Sequence, residues 1–272
     1  MTTRFASAAC AIALIAWAGT ASAEPFALTG HDDSQWRFVF TPYAFIPAGT
    51  HGTSTVDGSS VDLDLGLEDA LDALNLALSG RFEAWRGDWG LLFDGNYVSL
   101  GGEDSAGLPG PGGGSLDVEV DIEQYWLTFL GAYRAVNTTY GDAGRRFALD
   151  LQGGLRYNSL KQEVDIDTPG PSTKLGGTET WWEPVIGARG VWELNDNWAA
   201  AIVADFGGFG VGGDDLQVIA TAGFDWRPER WQNTSIKFGY RYYSLDYETD
   251  GGDFAYDVTQ HGPYLGVTFR WQ

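Results

Sequence analysis

The sequence predicts an all-β protein, an antiparallel up-and-down transmembrane β-barrel of about ten strands, with eight or twelve as the alternatives and a short helix in the first outer loop. Three observations predict it. Apolar and polar residues alternate in segment after segment, which gives strands two unlike faces. The aromatic residues, 12 Trp, 12 Tyr and 15 Phe, recur along the whole chain and do not gather in one block. Short turns alternate with long loops rich in Gly, Pro and acid, the pattern of barrels with periplasmic turns and outer loops.

At the N-terminus, Arg4, the uncharged apolar stretch Ala8 to Trp17 and the small residues Ala21-Ser22-Ala23 predict a secretory signal over residues 1–23. That apolar run is too short to span a bilayer. Residues 24–34 are read as a periplasmic lead and 35–272 as the barrel domain. Cys10, the single cysteine, stands ahead of most of the apolar run, the wrong place for lipid attachment. The exported part must therefore be held by packing and hydrogen bonds without disulfides. A net charge of −21 with no basic patch argues against nucleic acid as a partner. No later segment offers the roughly 18 consecutive apolar residues of a spanning helix, so a membrane-embedded form must use strands.

The first strand is expected from Gln35 to Ile46. Residues 47–73 then form the first outer loop. Within it Asp62 and Asp64 alternate with Val61, Leu63 and Leu65, after which Leu67, Leu71 and Leu74 follow helical spacing with Glu68, Asp69 and Asp72 between them. This predicts a short amphipathic helix that plugs the barrel mouth or packs on its rim; an extra strand pair is the other reading.

The clearest hairpin runs from Leu74 to Leu100. Leu74, Leu76, Leu78, Phe82 and Ala84 oppose Asn75, Ser79, Arg81 and Glu83. Beyond a turn at Gly87-Asp88, Trp89, Leu91, Phe93 and Tyr97 continue the apolar face, and Asp94 and Asn96 the polar one. A two-residue turn sets Phe82 against Phe93 and Arg81 against Asp94.

The later strands follow in order. Tyr125, Leu127, Phe129 and Tyr133 oppose Gln124, Thr128 and Arg134. Phe147, Leu149, Leu151, Leu155 and Tyr157 oppose Asp150, Gln152, Arg156 and Asn158. Trp182, Ile186, Ala188 and Trp192 oppose Glu183 and Arg189, and Trp198, Ala200, Ile202 and Phe206 oppose Asp205. Leu216, Val218, Ala220, Phe224 and Trp226 oppose Gln217, Thr221 and Asp225; Ile236, Phe238, Tyr240 and Tyr242 oppose Lys237 and Arg241. The last strand sets Leu265, Val267, Phe269 and Trp271 against Tyr264, Thr268 and Arg270. Long outer loops are expected at 101–116, 161–177, 207–215 and 247–257. Shorter turns are expected at 137–145, 195–197 and 228–233. A three-residue turn at Asn195 to Asn197 puts Arg189 opposite Val203 and Asp205 on the diagonal, a second, weaker ion pair.

On the apolar face, Trp89 and Tyr97, Tyr125 and Tyr133, and Trp182 and Trp192 are eight to ten residues apart. Strands tilted about 45° cover roughly 19–23 Å over that spacing, close to the apolar band of an outer membrane. These six, with Trp198, Trp226 and Trp271, are the expected aromatic girdles.

Phe40-Thr41-Pro42-Tyr43-Ala44-Phe45-Ile46-Pro47, Gly80-Arg81-Phe82-Glu83-Ala84, Trp89-Gly90-Leu91-Leu92-Phe93-Asp94-Gly95, Asp205-Phe206-Gly207-Gly208-Phe209-Gly210, Phe238-Gly239-Tyr240-Arg241-Tyr242 and the run Gly262 to Trp271 resemble a family of uncharacterised proteobacterial outer-membrane β-barrel proteins. The resemblance spans nearly all of the expected barrel. It implies barrel fold and outer-membrane location, and brings no catalytic residue. Trp271 is penultimate and Gln272 last, whereas such proteins usually end on the aromatic residue read during assembly.

No enzyme is expected. The histidines His31, His51 and His261 fall before the first strand, in a Gly/Thr/Ser loop and near the top of the last strand, each read as a solvated group without a nucleophile beside it. No cofactor and no dedicated metal site is expected, and acidic runs such as 246–253 would hold divalent cations only weakly. The expected partners are outer-membrane lipid and lipopolysaccharide and the barrel assembly machinery. The polar face supplies the candidate lumen lining: Arg81, Glu83, Asp94, Asp150, Arg156, Arg189, Asp205, Asp225, Lys237 and Arg241. It points first to a narrow or gated channel for small polar solutes, mildly cation-selective because of its acidic mouth, with a closed structural or surface-binding barrel without transport as the alternative.

Overall fold

In the computed structural model the described residues are 35–107, 115–167, 173–231 and 233–272. The expectations for residues 1–34 lie outside them. Twelve antiparallel strands and one short helix follow in the order β1 (Arg37–Phe45), β2 (Gly49–Val56), β3 (Ser59–Gly66), α1 (Leu67–Asp72), β4 (Leu74–Arg86), β5 (Trp89–Gly107), β6 (Ser115–Tyr140), β7 (Arg145–Asp167), β8 (Thr173–Glu193), β9 (Trp198–Val211), β10 (Asp214–Trp226), β11 (Thr234–Glu248) and β12 (Phe254–Trp271). β1 and β4 to β12 pair in sequence, and β1 returns to β12 through Phe38 opposite Trp271 and Phe45 opposite Tyr264. The ring is closed, a ten-stranded barrel without an edge. Among the described residues no helix is long and apolar enough to cross a membrane.

The β4–β5 hairpin forms as the alternation dictates. Gly87 takes a φ of 57°, and Arg81 faces Asp94 while Phe82 faces Phe93. The last pair of rings lies 6.4 Å apart. Arg189 is opposite Val203 in the β8–β9 ladder, as the turn at 195–197 requires.

The first outer region differs from a loop carrying a plug. β2 prolongs β1 along the upper part of β12, from Gly49 opposite His261 to Val56 opposite Phe254. β3 turns back on it through Asp57 and Gly58, whose φ values of 49° and 73° suit a two-residue hairpin with both central residues left-handed. α1 does not enter the barrel. Leu67 and Leu71 stay exposed, and only Ala70 of the helix is buried. A helix this short cannot turn both its leucines into one closed space, and β3 already fixes its position at the rim.

The other outer regions are also largely strand. β6 runs for 26 residues and β7 for 23, where about 9–11 suffice to cross a membrane. Both continue well past the bilayer into the segments expected as loops. Cross-strand hydrogen bonds outweigh the weak strand propensity of their Asp, Glu and Gly.

Candidate functional site

The exterior and interior of the ring have reversed polarity for a water-soluble protein. Leu78, Leu155, Ile186, Ile202 and Leu265 project outward and exposed, while Asp150, Arg156, Glu183 and Gln217 are buried inside. Period-two alternation on a closed ring produces this directly, because every second residue must face the lumen. The aromatic residues fall in two tiers. Trp89 sits opposite Tyr133 with rings 4.9 Å apart, and Tyr97 sits opposite Tyr125 further up the same strands. Trp182 joins the upper tier through Tyr157, at 5.1 Å. The lower tier continues with Trp192 against Phe147, Trp198 against Trp226, and Trp271 against Phe38.

Inside, the polar residues form layers. In the lowest, Arg270 donates to Asp225 at 2.9 Å and to Ser235 at 2.8 Å. Above it, Arg189 reaches from β8 across the barrel to Glu83 on β4, at 2.7 Å, and also donates to Asp150 at 2.9 Å. Asp150 is held as well by Arg134, at 2.8 Å. The Trp85 ring lies beneath both guanidinium groups, 4.9 Å from Arg134 and 5.4 Å from Arg189, and its Nε1 donates to Glu83 at 2.9 Å. Gly90 makes room for it, since a Cβ there would stand 2.8 Å from the ring.

At mid-height, Arg156 donates to Glu183 at 2.9 Å, to Gln217 at 2.8 Å and to Thr128 at 3.0 Å. Arg81 bonds Glu83 at 2.9 Å and stands 3.7 Å from Asp94. Asp94 also accepts from Tyr43 at 2.8 Å. Arg241 packs over Tyr43 and Phe45 and donates to the hydroxyls of Tyr43 and Thr221.

One expected pair is absent. Arg189 turns to Glu83 and Asp150, and Asp205 instead accepts a hydrogen bond from Gln152. Two carboxylates in direct reach outcompete a diagonal neighbour on the next strand. Asp205 pairs with Gly187 in the ladder.

A chamber of about 150 Å³ lies within these layers. Arg81, Glu83, Asp94, Arg156, Arg189, Asp205, Asp225, Lys237 and Arg241 line it, with Arg37, Arg134 and Arg270. Asp150 does not reach it but is buried behind Arg134 and Arg189. The space exists because the inward positions of β9 and β10 are small: Ala199, Ala201, Val203, Thr221 and Gly223.

Above the chamber the lumen turns apolar. Trp126 of β6 stacks on Tyr243 of β11, strands on opposite sides of the ring, with ring centroids 5.2 Å apart and planes 7° apart. Gln124 donates to the same tyrosine at 2.7 Å. Higher still, Trp181 stacks on Tyr247 at 3.9 Å, and Ser54 of β2 donates to Gln162 of β7 at 2.9 Å. Leu160, Ile219, Leu245, Phe254, Tyr256 and Val258 complete this cluster. These strand-borne side chains pack across the upper lumen, while the helix takes the rim position that was the alternative to a plug. The outer extension carries surface charge: Lys161 bridges Glu123 and Glu163, and Lys174 bridges Glu163 and Asp165. Hydrogen bonds from Lys161 and Lys174 hold the Glu163 carboxyl below its ordinary pKa.

A closed antiparallel ring with an apolar exterior, two aromatic tiers and a polar interior is a transmembrane β-barrel of the outer-membrane class. No family model and no curated protein sequence matches the chain. Among solved structures it is similar to the attachment invasion locus protein Ail of Yersinia pestis, determined in complex with the heparin analogue sucrose octasulfate, at 11% identity and TM-score 0.37, covering 87% of this chain and 98% of that one. It is similar to the translocator domain of the autotransporter NalP from Neisseria meningitidis at 15% identity and TM-score 0.36, covering 86% and 88%. It is also similar to the Pseudomonas putida toluene transporter TodX at 10% identity and TM-score 0.26, covering 87% and 90%. The assignment to the outer membrane rests on the chain's own ring and apolar belt.

Proposed function

We propose that the protein is a closed outer-membrane barrel whose working surface is its acidic, strand-built outer extension, a binding surface for cationic partners. The observation that carries this reading is the Trp126–Tyr243 stack, which joins opposite walls across the lumen above the chamber. Charge placement supports it. Many of the chain's 16 Lys and Arg are spent inside the barrel, so its outer surface is more acidic than the net charge of −21 suggests. Such a surface steers and concentrates cations. The two aromatic tiers serve as lipid-interface belts, with lipid and lipopolysaccharide against the outward face, and the assembly machinery inserts the barrel. No residue is assigned a catalytic role.

A gated channel is the second reading, favoured by the chamber. Its lining holds more cations than acids, so a path opened above it would prefer anions, the reverse of the bias expected from the mouth alone. Proteoliposomes carrying the full chain test the two readings. The binding reading expects salt-sensitive capture of an oligolysine peptide and no swelling in small sugars; rapid swelling without capture would replace it with the channel.

A further inference from the structure

Two of the chain's three histidines come together on the outward face, where β2 extends the barrel wall. His51 belongs to β2 and His261 to β12, both inside strands and neither in a loop. They lie diagonally across the ladder, since His261 is paired with Gly49 and His51 with Thr259, and their rings are 6.2 Å apart. Both Nε2 atoms lie beside the same place: a Cβ on Gly49 would stand 3.0 Å from that of His261 and 3.4 Å from that of His51. The opposite ring nitrogens are each engaged. Nδ1 of His51 is 2.9 Å from a carboxylate oxygen of Asp64 on β3, and Nδ1 of His261 is 2.6 Å from the Tyr240 hydroxyl on β11.

We propose that His51 and His261 form a surface site for a divalent late transition metal, zinc or copper in class, with Asp64 and Tyr240 as positioning residues. Metal-bound imidazoles are oriented by a hydrogen bond at the other ring nitrogen, and a carboxylate there leaves Nε2 with its lone pair for the metal. Both features exist here before any metal binds. Two nitrogens about 3–4 Å apart satisfy one ion at bond lengths of about 2.0–2.1 Å. Side-chain rotation reaches that spacing, because the His51 side chain is 59% exposed and Gly49 offers no side chain in the way. Imidazole ligands select zinc, copper and nickel over magnesium and calcium. Among the described residues no group of three or more His, Cys, Asp or Glu converges, so water completes the coordination. Bound metal would tie β2 to β12 directly, and β3 and β11 through Asp64 and Tyr240.

Copper titration of the folded full chain in detergent, followed by electron paramagnetic resonance, tests the site. One equivalent should bind with the hyperfine pattern of two imidazole nitrogens. His51→Ala and His261→Ala should each reduce the pattern to one nitrogen or abolish binding, and Asp64→Asn should weaken binding about tenfold or more. Gly49→Ala should weaken it without removing a ligand. His31→Gln should change nothing, which separates this site from one at the N-terminal segment. His51, His261, Asp64 and Gly49 face outward, so these variants should keep the heat-dependent gel shift of a folded barrel. A two-nitrogen spectrum surviving both alanine variants, or no stoichiometric binding by the intact chain, would overturn the proposal.

Discussion

Replacing Arg156 with Met should destabilise the barrel by an amount that reports whether its middle is dry. The Arg156 side chain is 1% exposed and that of Glu183 fully buried. Among the described residues, Glu183 without the guanidinium keeps only the Asn158 amide at 3.2 Å, and its Oε2 has no partner to begin with. Stranding a buried charge in this way costs about 3–5 kcal/mol. Glu183→Met should cost a similar amount by stranding Arg156, which would retain Gln217 and Thr128. The double variant should cost much less than the sum, because neither charge remains. Urea unfolding in lipid vesicles, followed by tryptophan fluorescence on all four proteins, gives the coupling directly. If each single variant stays within about 1 kcal/mol of the parent, as exposed pairs do, the pair is hydrated and the barrel holds a water-filled passage at this height.

Three further outcomes are expected. Leu155→Arg, on the outward face, should cost about 2–4 kcal/mol of folding stability in lipid if it lies at the bilayer midplane, and unchanged refolding would put that face in water. Asp246, on the outer part of β11, has its pKa raised by partial burial and by the neighbouring Asp257, Asp215 and Glu248. An acid with a raised folded pKa stabilises below its unfolded pKa and loses that contribution as pH rises, so Asp246→Asn should raise the thermal midpoint at pH 7 and the gain should fade toward about pH 4; an equal gain at both pH values would refute the cause. Replacing Leu67 and Leu71 in α1 with Ser should leave permeability unchanged, and an increase would restore the helix as the plug.

What was legible in the sequence follows from how locally each feature is determined. The β4–β5 hairpin could be read to single-residue register because Gly87-Asp88 fixes the turn and both faces keep their character across it. The lumen candidates lay on the polar side of a period-two pattern, which fixes facing without any knowledge of the neighbours. Arg134 and Arg270 sat on that side too, and only their partners were out of view, since ion pairs across a ring depend on strand order and stagger. The aromatic closure was missed because Tyr125-Trp126-Leu127, Trp181-Trp182 and Tyr242-Tyr243 are apolar on both faces and break the alternation. Such breaks themselves mark an apolar lumen. The outer hairpin had a signal in Asp57-Gly58 between Val56 and Ser59, and the extension of β6 had one in Val118-Glu119-Val120-Asp121-Ile122-Glu123. Both were obscured by reading Gly and acid as loop. The meeting of His51 with His261 required the register of β2 along β12, which no local pattern contains.

The central claim is that side chains meeting from opposite walls close this barrel. Planar-bilayer recording of the intact chain beside the combined Trp126→Ala, Trp181→Ala and Tyr243→Ala variant tests it most directly. The account predicts silence from the intact chain and steady, anion-preferring conductance from the variant once the stacked rings above the chamber are gone. Sustained conductance from the intact chain, at the level of the variant, would contradict it.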